Sequence, residues 1–105
     1  MILLGCVAAP LSAAADPADV DKAVEILGES VAFDTVAGRG QVPAYAEYLA
    51  SVLKTAGFAE ADIEIIPSGE TASLVATYHG KSAKAPIVLN AHMDVVEADP
   101  ADWVR

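Results

Sequence analysis

The run Pro86-Ile87-Val88-Leu89-Asn90-Ala91 is apolar almost without a break. A strand with one wet face alternates polar and apolar residues, whereas an unbroken run reads as a strand covered on both faces. Such a strand belongs inside a layered sheet, which predicts an α/β chain with helices set against strands of a mixed sheet. The upstream periodicities agree. Val20, Ala23, Val24, Leu27 and Val31 recur at spacings of three and four, which predicts a helix from residue 17 to about 33. Asp16 suits its N-cap, Pro17 its first position, and Asp19 and Asp21 the positive end of its dipole. Gly28 is a mild interruption, and Gly38 and Gly40 mark the loop that follows. A second helix is expected from about 42 to 56, with Tyr45, Leu49, Val52, Leu53 and Ala56 as its buried stripe and Gly57 as its stop. Ile63 and Ile65 alternate with Asp62 and Glu64 as in a half-covered strand. Pro67-Ser68-Gly69 reads as a turn, residues 73–78 as a second strand, and 79–85 as a polar connection.

Composition bounds what this layer can be. The 105 residues include 6 basic and 15 acidic side chains, a net charge of −9, with 54% hydrophobic and 20% charged residues. That is a globular composition, since disorder needs low hydrophobicity beside high charge, and the length fits one small domain. The acid excess argues against nucleic acid or an anionic membrane as partner, because both need a basic surface. Cys6 is the single cysteine, so no internal disulfide framework is available.

The first charged side chain is Asp16, and residues 1–15 form an apolar stretch ending in Ala13-Ala14-Ala15. It is shorter than the roughly 20 residues of a membrane-spanning helix. It reads as a secretory signal with a cut near Asp16, although no basic residue precedes the apolar run. Leu3-Leu4-Gly5-Cys6 also has the look of a lipoprotein box, with too few residues ahead of Cys6 unless the true start lies upstream. Export to a periplasm or the medium is therefore expected, with a lipid anchor on Cys6 as the variant reading and a cytosolic apolar tail as the third. Residues 16–105 then form the folding part.

Chemistry enters where the apolar run ends. In Asn90-Ala91-His92-Met93-Asp94-Val95-Val96, His92 and Asp94 lie two residues apart and share a face of an extended chain. They also sit at the carboxyl end of the expected strand, where open α/β sheets place their ligands. A histidine there can hold a transition metal such as zinc, with Asp94 fixing its other ring nitrogen or lying near a bound water. The plain alternative is a hydrogen-bonded pair with no ligand. Ser51, Ser68, Ser73 and Ser82 sit in no nucleophile-elbow pattern. His79 reads as a turn residue, with a second ligand as the alternative; Arg39 as part of an exposed loop, with contact to an anion as the alternative; and Glu97, Asp99 and Asp102 as a solvated acidic surface, with a bound cation as the alternative. Phe33, Tyr45, Tyr48 and Phe58 read as core or boundary residues.

Leu89-Asn90-Ala91-His92-Met93-Asp94-Val95-Val96, followed by Asp99-Pro100-Ala101-Asp102-Trp103, resembles the first metal-binding block of the M20 family of zinc aminoacylases, dipeptidases and carboxypeptidases. The order upstream is similar too: Phe33-Asp34-Thr35-Val36 after a helix, a second helix ending Ala56-Gly57-Phe58, an Ile-rich strand, and Thr71-Ala72-Ser73-Leu74-Val75-Ala76 as the strand before the motif. The resemblance spans about residues 20 to 105. It implies that His92 is a ligand of one zinc of a two-zinc centre. Asp94 would be the active-site carboxylate that orients and polarises it while staying off the metal. It implies hydrolysis of small peptides or N-acyl amino acids by a metal-activated water. The bridging Asp, a Glu-Glu pair and the later ligands would lie beyond Arg105, as would a lid domain through which such enzymes often form dimers. The chain is thus expected to be the N-terminal part of a larger catalytic domain and inactive by itself. The competing hypothesis is a non-catalytic acidic α/β module in which His92 and Asp94 are only structural.

Overall fold

The computed structural model describes residues 15–82 and 85–103. The signal-like segment, apart from Ala15, and Cys6 lie outside the described residues. The chain is α/β, two helices followed by strands. Helix α1 spans Pro17–Ser30 and α2 spans Val42–Thr55; strands β1 (Ile63–Ser68) and β2 (Thr71–Ala76) form an antiparallel pair. No helix among the described residues is long and apolar enough to cross a membrane.

Local chemistry sets the start of α1 and the end of α2 where the sequence placed them, whereas α1 ends at Ser30, short of the expected 33, and β2 lies two residues before the expected 73–78. The Asp16 carboxylate accepts a 2.9 Å hydrogen bond from the Ala18 N–H, satisfying one donor that the first turn leaves free, and Pro17 needs no such partner. Helix α2 stops at a Schellman arrangement. The Gly57 N–H donates to the Lys54 carbonyl at 3.0 Å and the Phe58 N–H to the Leu53 carbonyl at 3.1 Å. This requires the left-handed backbone of Gly57, φ +98°, which costs a residue with a Cβ about 1–2 kcal/mol.

Helix α2 lies on one face of the hairpin. Its deepest residues are Val42, Ala46 and Ala50, each four apart, and they meet Ala72 in a core of small side chains. The larger residues expected to line that stripe, Tyr45, Leu49, Val52 and Leu53, are only half-buried, and Ala56 is exposed. Small residues allow the helix backbone to approach the sheet closely, and bulkier ones are displaced to its flanks. Ile63 and Ile65 turn toward α2, and Ile65 pairs with Leu74 across the ladder. The hairpin reverses at Gly69-Glu70, one residue beyond the expected turn. Ser68 pairs with Thr71, and Gly69 has φ +61° while Glu70 does not enter that region, the signature of a type II′ loop.

The central strand expected at residues 86–91 does not form. Ile87, Val88 and Leu89 are 88%, 84% and 93% exposed, and no ladder joins this run to the hairpin. A strand of this composition needs an apolar layer on each face. Among the described residues, the layer formed by α2 is already committed to the hairpin. The sheet is accordingly antiparallel, and the parallel pairing among the described residues is one isolated bridge, Val36 with Val95. The apolar face of α1 is real in spacing but likewise open, with Val24, Leu27 and Val31 exposed.

Candidate functional site

His92 and Asp94 lie on a segment outside any helix or strand and line a groove of about 400 Å³. Val42, Tyr45 and Leu49 of α2 form one wall of the groove, and the start of β2 forms another. Met93 is half-buried, whereas the side chains of His92 and Asp94 are 83% and 67% exposed. The expected shared face is observed. The His92 Nδ1 stands 3.4 Å from the Asp94 carboxylate, and its nearer partner is the main-chain carbonyl of Asp94 at 2.7 Å. A carbonyl oxygen can only accept, so Nδ1 carries the proton. In a neutral ring the lone pair then belongs to Nε2, the state a histidine needs to bind a metal.

Fixing one nitrogen so that the other faces outward is what a metal ligand requires, and this donor chemistry fits zinc. The complement does not extend further: among the described residues, no three histidine, cysteine or acidic side chains come together as a metal-binding group. His79 instead meets the Asp62 carboxylate through Nε2 at 2.8 Å, closing the open end of the hairpin, where the Thr77 N–H also donates to the Asp62 carbonyl. Asp99 accepts from the Ala101 N–H at 2.8 Å and caps a short 3-10 turn at Pro100–Asp102.

Arg39 is more than a loop residue. Its Nη2 donates to Glu97 Oε1 at 3.1 Å, and its Nη1 stands 3.6 Å from Asp34 Oδ2. Together with the Val36–Val95 bridge, this joins the segment after the motif to the loop between the helices. The contact with Glu97 has no local sequence signal, since the two residues are 58 positions apart. Glu97 is therefore paired, although it stays exposed with Asp99 and Asp102 on the expected acidic surface. Phe33, Tyr45 and Tyr48 gather into one aromatic cluster, with centroids 5.2 Å and 5.6 Å from Phe33, at the junction of α1's exit with α2. No protein-family model, curated protein or solved structure matches this chain.

Proposed function

We propose that the chain carries the first metal-binding element of a zinc-dependent metallopeptidase or amidohydrolase of the M20 type. Small peptides or N-acyl amino acids are its substrates. The observation that carries this reading is the His92 ring, whose Nδ1 donates to the Asp94 carbonyl and so leaves the lone pair of a neutral ring on Nε2. His92 serves as a ligand through Nε2. The Asp94 carboxylate, 3.4 Å from Nδ1, stabilises the orientation of the ring. Zinc, when bound, supplies polarisation of the scissile carbonyl and activation of water near neutral pH. Tyr45 and Leu49 give the groove beside His92 an apolar wall suited to a small side chain. The other ligands come from sequence outside these 105 residues, and the protein acts after export, in a periplasm or the medium.

The first test is the reading frame after the codon for Arg105. A continuing frame with a Gly-x-Gly…Asp segment and a Glu-Glu pair supports the enzyme, and a stop codon overturns it. The second test is hydrolysis of dipeptides and N-acetyl amino acids by the protein that frame encodes. Zinc-dependent turnover that His92→Ala abolishes is expected; turnover indifferent to His92→Ala overturns the assignment. Asp94→Ala should lower turnover by about 10- to 100-fold while sparing most of the zinc content. Equal loss of both would make Asp94 a ligand. The 105-residue chain alone should show no sub-micromolar zinc affinity, because a zinc site takes three or four protein ligands.

A further inference from the structure

We propose that Arg39 is a positioning residue for the His92-Met93-Asp94 segment, holding it in register against the loop between α1 and α2. For its meaning in catalysis this rests on His92 being a ligand, but the latch itself is defined without metal. The need for a latch follows from the missing strand. With residues 86–91 outside any ladder, His92 sits on a backbone that the sheet does not hold. A metal ligand must nevertheless be held within a fraction of an ångström of its working position.

The latch is built from a side-chain tie and a backbone tie lying side by side. Val36 precedes Arg39 by three residues and Val95 precedes Glu97 by two, so the bridge and the ion pair reinforce each other. Arg39 also starts from a fixed backbone. Its N–H donates to the Val36 carbonyl at 3.1 Å, closing a turn in which Gly38 takes φ +83°, and Thr35 at the base of the loop is buried. A pre-set backbone lowers the entropy lost when the long side chain is held. The guanidinium then reaches Asp34 and Glu97 together through its two terminal nitrogens, which a single ammonium does less well. Because the pair is exposed, its effect is small in size and local in reach.

The test uses the metal-free, ¹⁵N-labelled 105-residue chain. It reads amide exchange at Val95 and Val96, with the β1–β2 amides as internal reference, and the His92 ring ¹⁵N shifts at a pH where the ring is neutral. Arg39→Glu and Glu97→Arg should each speed exchange at Val95 or Val96 about two- to fivefold. Each should also move the ring shifts away from the Nδ1–H tautomer and leave the hairpin unchanged. The double variant Arg39→Glu/Glu97→Arg should recover most of both readouts, and Arg39→Lys should fall between. Unchanged exchange in the single variants, a double variant no better than either single, or equal acceleration in the hairpin would each overturn the proposal. A longer protein without zinc-dependent hydrolysis but with this latch intact would instead refute the role given to His92.

Discussion

The unit formed by α2 and the hairpin and the segment from residue 86 onward are built from equally apolar sequence, and they end in opposite states. In the first, Ala46 and Ala50 vanish beneath the hairpin, and each buried methyl contributes about 0.8 kcal/mol. In the second, Ile87, Val88 and Leu89 have far more apolar surface to hide and hide almost none of it. Hydrophobicity supplies a drive toward burial; geometry decides whether a matching surface exists. The hairpin provides its own pairing partner through a two-residue turn. The later segment would need neighbours on both faces, and the described residues supply neither.

The sharpest way to break this contrast is to put the same carboxylate into each region. Ala46→Asp buries an unpaired charge, and in urea unfolding followed by circular dichroism it should cost several kcal/mol, on the order of 3 or more. Leu89→Asp should stay within about 0.5 kcal/mol, as for other exposed positions. Equal effects would mean that the 86–91 run is packed in solution after all.

Glycine substitutions sharpen the contrast at a smaller scale. Gly57→Ala should destabilise the α2–hairpin unit by about 1–2 kcal/mol, since alanine resists the left-handed backbone that closes the helix. Gly28→Ala should do the reverse. An added Cβ meets nothing within 4 Å there and the backbone is helical, so α1 should gain about 0.5–1 kcal/mol, visible as added helicity. A loss of helicity would show that the open face of α1 has a partner at that point.

The smallest effect concerns charge. Lys54 donates to Glu60 at 2.8 Å across the end of α2, and this hydrogen bond holds the Glu60 carboxyl below its ordinary value. Lys54→Ala should return it upward, as followed by NMR titration of the side chain. A carboxyl depressed in the folded state favours folding above its ordinary pKa and loses that contribution as pH falls through the depressed value. The Lys54→Ala variant should therefore lack this acid-side slope. At so exposed a pair, salt should screen it as well.

What was legible in the sequence follows the reach of each cause. The Asp16 cap, the Pro17 start and the Gly57 stop act over a few residues, and each stands where local chemistry predicts. The alternation of Ile63 and Ile65 gave β1 for the same reason, and the pairing of His92 with Asp94 needed only their spacing of two. The stripe of α2 departs from its expected membership because close approach of helix to sheet puts Ala46 and Ala50, not the larger side chains, deepest. The 86–91 strand failed because a ladder depends on a remote partner. That Arg39 could meet an anion was legible, but its partner Glu97 was not, because nothing near either residue points to the other.

The hydrogen bond from the His92 ring to the main chain of Asp94 bears on how this site can be edited. A contact to a backbone carbonyl belongs to the position and not to the residue type, so Asn, Ala or Ser at 94 would all keep it. Side-chain mutagenesis there removes only the negative charge and leaves the imidazole's protonation pattern in place. The motif thus separates two duties that one aspartate is usually credited with. The peptide unit chooses which nitrogen carries the proton, and the carboxylate contributes a nearby negative charge.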